Sequence, residues 1–154
     1  MLYFHKQGGF LMYPAWNGDA NLPKTFLYDG FSYLPNSGVI RSDSDAGYPK
    51  VRRRFTSVTK NYNISFSFTF DQFELFETFF NNPPTHVTVP GIAMGSIPFY
   101  FPTPLWYPAE GETSEDRPET KLFRIVHSVG NPPYSVNQEA PNSVSVSFTL
   151  EELP

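Results

Sequence analysis

The chain has no cysteine among its 154 residues, which excludes a disulfide scaffold, a thiolate metal site and a cysteine nucleophile. Charge is also scarce, at 17% Asp, Glu, Lys and Arg, where about 25% is usual. No apolar run approaches the ~20 residues a membrane-spanning helix needs. The N-terminal stretch MLYFHKQGGFLMYP has neither a basic flank followed by an apolar block nor a small-residue cleavage site. The expectation is a soluble protein made in a cytoplasm, or built there into a particle, with no membrane partner.

What is abundant is aromatic and proline: 16 Phe, 9 Tyr, 2 Trp and 16 Pro. Disordered chains have the opposite composition, and so many prolines break helix interiors. One loop-rich, mostly β domain is expected, long enough to bury a core without staples. The net charge of −4 argues against a general nucleic-acid binder, so no specific nucleic acid is expected as a partner.

Residues 1–37 are rich in Gly, Pro, Asn and aromatics without a sustained period. They are expected to form an extended arm, with short strands at Thr25–Tyr28 or Gly30–Leu34. Phe10, Tyr13 and Trp16 would then contact neighbouring proteins. Residues 38–154 form the expected β domain. Val39–Ser42 and Lys50–Thr56 read as strands around a turn-forming Asp43-Ser44-Asp45-Ala46-Gly47-Tyr48-Pro49. Tyr62, Ile64, Phe66, Phe68 and Phe70 alternate with Asn63, Ser65, Ser67 and Thr69, which predicts a strand with one buried face.

At Asp71 the period changes to three and four, predicting a short helix over 71–80. Asp71 and Glu74 begin it in the manner of a capping box, and Asn81-Asn82-Pro83-Pro84 ends it. Strands are expected near Ile97–Phe101, Lys121–Ser128 and Ser143–Leu150, with another possible at Leu105–Tyr107. Residues 109–120 (AEGETSEDRPET) read as an exposed acidic loop, and GNPPYSVNQEAPN as a turn-rich connection. The fold class is therefore mainly β: a small sandwich or partly open barrel with one flanking helix.

Six of the 11 basic residues lie between positions 41 and 60: Arg41, Lys50, Arg52, Arg53, Arg54 and Lys60. In a strand Arg52 and Arg54 share one face, and Val51, Arg53 and Phe55 the other. Such a stripe can grip phosphate or carboxylate groups; the acidic chain favours carboxylates on neighbouring strands or subunits. Asp43-Ser44-Asp45-Ala46-Gly47 opens like a calcium loop, but Gly is misplaced and the distal Glu absent, so a hairpin turn accounts for it.

His5, His86 and His127 form no ligand pair, and His127 is expected partly buried on a strand. Glu110, Glu112, Glu115, Asp116 and Glu119 sit in a polar loop, whereas the paired carboxylates of glycoside hydrolysis need rigid elements, so a solvated loop is expected. There is no GxSxG and no phosphate-cradling glycine loop. No catalytic residue, metal or cofactor is expected, and no enzyme. Asn63-Ile64-Ser65 matches a glycosylation triplet inside the best strand and is read as chance.

The order of these pieces resembles the tail-tip proteins of long-tailed bacteriophages, in particular the lambda-like minor tail protein M family and related distal tail proteins. The resemblance rests on Asp45-Ala46-Gly47-Tyr48, the alternating Tyr62–Phe70, and the helix Asp71–Phe80. Phe99-Tyr100-Phe101-Pro102-Thr103-Pro104 and the closing Ser143–Leu153 complete it. It covers residues 38–154 and leaves the N-terminus and the acidic loop as additions. It implies a structural virion protein forming a ring, hexameric in that family, between tail tube and tail tip. Tube and hub proteins are its implied partners and the phage tail its implied location.

A heterologous ring needs two complementary patches per subunit. Lys50, Arg52 and Arg54 are candidates for one; Glu110, Glu112, Glu115 and Asp116 are candidates for the other. A head–tail connector, tail terminator or decoration protein is the alternative of the same class. A carbohydrate-binding module, suggested by Trp16, Trp106 and Tyr107, is the alternative from another.

Overall fold

A computed structural model of the protein describes residues 13–42, 46–53, 58–127 and 129–154. In chain order the strands are β1 (Ser32–Pro35), β2 (Val39–Ser42), β3 (Lys50–Arg53) and β4 (Lys60–Thr69), then helix α1 (Phe70–Asn81). There follow β5 (Phe99–Phe101), a 3₁₀ turn at Ser114–Asp116, β6 (Lys121–Ile125), β7 (Ser135–Ala140) and β8 (Ser143–Glu152). The fold is mainly β with one short helix, as the composition requires, and its antiparallel sheets are not closed into a barrel.

The two cleanly alternating stretches pair with each other along their whole length. β4 and β8 run antiparallel from Lys60↔Glu152 to Thr69↔Ser143. That register sets Tyr62, Ile64, Phe66 and Phe68 opposite Leu150, Phe148, Val146 and Val144 on one face, and all eight are buried. Each such side chain contributes roughly 1.5–3 kcal/mol on burial, which makes a one-residue slip of register prohibitive. The other face carries small polar groups: Ser65 and Ser147 hydroxyls lie 2.8 Å apart, and Thr149 donates to Asn63 at 2.7 Å. β1 extends the sheet beyond β4; β6 and then β5 extend it beyond β8, whose other half pairs with β7.

Helix α1 begins where β4 stops. Its N-cap is Thr69, whose hydroxyl accepts from the Gln72 amide while the Gln72 side chain accepts from the Thr69 amide. The expected cap at Asp71 is therefore two residues too late, because Thr69 is the last extended residue. Phe76, Phe79 and Phe80 turn into the core. At the far end the backbone comes back to satisfy the last turn: Ile92 N–H donates to the Phe79 carbonyl at 2.9 Å and Met94 N–H to the Phe80 carbonyl at 2.7 Å. Reaching them puts Ala93 and Met94 at φ 47° and 59°, and brings Gly91 so close that an added Cβ would stand 2.3 Å from the Asn82 carbonyl oxygen.

The segment before β1 is the main correction to the sequence reading. Within residues 13–31 four side chains belong to the core rather than to an arm; residues 1–12 of the expected arm lie outside the described residues. Trp16 is fully buried with its ring centroid 5.1 Å from those of Phe66 and Phe101, and Ala20, Leu22 and Phe26 are buried beside it. Backbone bonds join the segment to the sheet: Trp16 N–H to the Tyr100 carbonyl, Tyr100 N–H to the Pro14 carbonyl, and Leu27 N–H to the Ser65 carbonyl. A mostly polar and Gly/Pro-rich stretch hides this role because its apolar residues follow no single period.

Smaller differences follow the same logic. Leu105–Tyr107 forms no strand, and β7 arises inside the supposed connecting loop, drawn into place by pairing with β8. His127 is exposed just beyond β6 rather than partly buried. The acidic loop is exposed at Glu110, Glu112, Glu115 and Asp116 but not throughout. Arg117 is buried, donating to the Thr103 and Pro104 carbonyls at 3.0 and 2.9 Å and lying 4.5 Å over the Phe26 ring. Desolvation holds its guanidinium below the usual arginine range. Glu119 accepts from the Asn17 amide, and burial pushes its carboxyl up despite that bond. Lys24 ties the loop down through the Glu115 and Arg117 carbonyls, each at 3.1 Å.

Candidate assembly surface

β2 and β3 form a separate two-stranded sheet, and among the described residues neither contacts any other named element. Two-stranded hairpins are only marginally stable alone in water, which makes the exposed side chains of this one the candidate surface. Its register sets Val39 opposite Arg53 and Arg41 opposite Val51 on one face, and Ile40 opposite Arg52 and Ser42 opposite Lys50 on the other. Both faces thus mix branched apolar and cationic side chains. Val39 and Val51 are 49% and 60% exposed, and Tyr48, in the turn segment, is 96% exposed. Arginine and tyrosine around small apolar contacts is the composition of interface hot spots.

Lys50 and Arg52, singled out from the sequence, are brought together on one face of this hairpin, and both are exposed. Arg54 and Phe10 lie outside the described residues, as do Asp43, Ser44, Asp45 and His5. Tyr13 is 40% exposed at the start of the core segment. Trp16 is no contact residue at all: its indole N–H donates to the Pro23 carbonyl at 2.9 Å in the centre of the core.

The acidic candidates are largely engaged by their own loop. Glu112 accepts from the Ala109 amide at 2.8 Å, Asp116 accepts from the Thr113 amide at 2.8 Å, and Glu115 faces the Thr25 hydroxyl at 3.4 Å. Glu110 has no such partner among the described residues.

A second acidic surface escaped the sequence reading. α1 carries Asp71, Glu74 and Glu77 and no basic residue anywhere in its twelve. All three are exposed, and none makes an ion pair among the described residues. Like charges three apart on a helix cost roughly 0.2–0.5 kcal/mol a pair, and Glu77 approaches the negative end of the helix dipole. Glu74 and Glu77 line a groove of about 430 Å³ with Thr78, Asn81 and Asn82. The legible signal was an Asp-x-x-Glu-x-x-Glu spacing with no compensating Lys or Arg.

A cavity of about 430 Å³ opens on the hydroxyl face of the sheet, lined by Asn63, Ser65, Tyr134, Ser147 and Thr149 among others. Its hydroxyls and amides largely bond one another. Burial raises the Tyr134 phenol above its ordinary value, leaving it a neutral donor. His86 accepts from the Thr88 and Val89 amides and so shapes its own loop. No group of three His, Asp or Glu is placed to hold a metal among the described residues.

No protein-family model, no curated protein and no solved structure matches the chain.

Proposed function

We propose that the chain is a structural protein of a bacteriophage tail, a minor or distal tail protein that forms a ring between tail tube and tail tip. The observation that carries this reading is the β2–β3 hairpin, a separate sheet with basic residues on both faces that pairs with no other named strand among the described residues. A catalytic apparatus is not part of the proposal; His86, Glu112 and Asp116 accept hydrogen bonds from their own loops. The reading also draws on the resemblance to tail-tip proteins, whose quoted segments lie in the hairpin, the alternating strand, the helix and the closing strand. Support for a carbohydrate-binding module shrinks to Tyr107, because Trp16 is in the core and Trp106 is half-buried beside Arg117.

The test is incorporation. A phage carrying this gene with the hairpin residues 39–53 replaced by a short Gly-Ser turn is expected to yield particles lacking the protein, with defective tails by negative stain. Gold labelling of wild-type particles is expected at the tail tip. Label on the head or at the head–tail joint would move the protein to another virion position. Absence from purified wild-type particles would refute the virion reading altogether.

A further inference from the structure

We propose that the β2–β3 hairpin of one copy docks on the outer face of α1 in a second copy, with Lys50 and Arg52 set against Glu74 and Glu77. The inference rests on the assembly reading and names its contact. The two patches complement each other in charge: a separate two-stranded sheet bearing exposed Lys50 and Arg52 on one face, and a grooved helix face bearing Glu74 and Glu77 with no cation of its own. Among the described residues the ion pairs Lys121–Glu152 and Arg124–Glu151 involve none of Lys50, Arg52, Glu74 and Glu77.

Topology keeps the patches apart within one molecule. The hairpin precedes the Lys60 end of β4, and α1 starts from the Thr69 end. Ten residues at about 3.3 Å each separate those ends by roughly 30 Å. Two different surfaces at opposite ends of a strand make a head-to-tail contact, which generates a closed ring or an open filament and not a two-fold dimer. The loop acids Glu112 and Asp116 are poorer acceptors, since each already takes hydrogen bonds from its own loop. Ile40, opposite Arg52 on the same face as Lys50, would add apolar contact once the hairpin is seated.

The experiment is sedimentation velocity of the full chain across a wide concentration range, at low and at high salt. Wild type is expected to self-associate, more weakly as salt rises. Lys50→Glu with Arg52→Glu, and separately Glu74→Lys with Glu77→Lys, are each expected to weaken association by at least about tenfold. An equimolar mixture of these two variants restores every contact with reversed sign alternating around the assembly, so association returns. The four substitutions in one chain restore it as well, which shows that loss was not misfolding. A wild type that stays monomeric at low salt overturns the proposal, as do reversals without effect. So does loss of association on reversing Glu110 and Glu115 while the helix reversal changes nothing. Failure here with normal incorporation into particles would leave the tail reading standing; association without incorporation would reject the tail reading and keep the contact.

Discussion

Replacing Trp16 by alanine is the sharpest test of how this protein is built. The ring is fully buried and meets seven aromatic side chains, Phe66, Phe68, Phe76, Phe79, Phe99, Phe101 and Phe148, with centroids 5.1–6.4 Å away. Trp→Ala in a core costs about 3–5 kcal/mol from lost transfer energy and the cavity left behind. The Pro23 carbonyl, which accepts from the indole at 2.9 Å, loses its partner for about 1 kcal/mol more.

Against a domain stability of roughly 5–15 kcal/mol, the expected loss is about 4–6 kcal/mol. In urea, with a slope of about 2 kcal/mol/M, the midpoint should fall by roughly 2–3 M. Trp16 can also be watched directly. In a Trp106→Phe background its fluorescence should be blue-shifted and closed to a soluble quencher until the domain unfolds. A stability change under about 1 kcal/mol, or a quenchable indole in the native state, would refute the core assignment and return residues 13–31 to the status of an arm.

Other substitutions probe the same architecture. Gly91→Ala places a Cβ against the Asn82 and Phe79 carbonyls and should cost about 1–3 kcal/mol or more by thermal denaturation. Arg117→Lys keeps the charge but loses the planar stack on Phe26 and one or both carbonyl bonds; about 2 kcal/mol is expected to be lost. Glu119 has a folded-state carboxyl pushed up by burial. Its contribution is therefore fully present below the unfolded pKa and is lost as pH rises through the folded value. Stability of wild type relative to Glu119→Gln should accordingly improve as pH is lowered from neutrality toward the carboxylate range, and an opposite slope in chemical denaturation would contradict that sign. Met94→Gly relieves a left-handed backbone at φ 59° on a 65% exposed side chain and should raise stability by about 1 kcal/mol.

Much of the fold is legible in local pattern. Strict alternation from Tyr62 to Phe68 and from Val144 to Leu150 identifies both central strands, because a half-buried strand must repeat every two residues. The Phe-rich stretch after Thr69 reveals the helix for the same kind of reason, and the hairpin strands show through the dense turn formers between them. β7 is not legible, since SVNQEA is exposed on nearly every residue and owes its conformation to β8. The burial of Trp16 is not legible either: a single indole in a Gly/Pro-rich stretch has no periodic neighbours to reveal its side. The candidate site divides the same way. The basic strand and the Asp-x-x-Glu-x-x-Glu spacing of α1 can be read directly, whereas the pairing of β2 and β3 into a sheet apart from the main one emerges only in three dimensions.

The sequence by itself determined a cysteine-free, aromatic-rich β domain, its two central strands, its helix and the position of its positive charge. These follow from composition and short-range period, which local chemistry fixes. Tertiary structure alone decided that Trp16, Leu22 and Phe26 fill the core, that Arg117 and Glu119 fold inward beside them, and that the basic hairpin forms a sheet of its own. Those outcomes depend on which surfaces meet across long separations in the chain, and no local pattern encodes that.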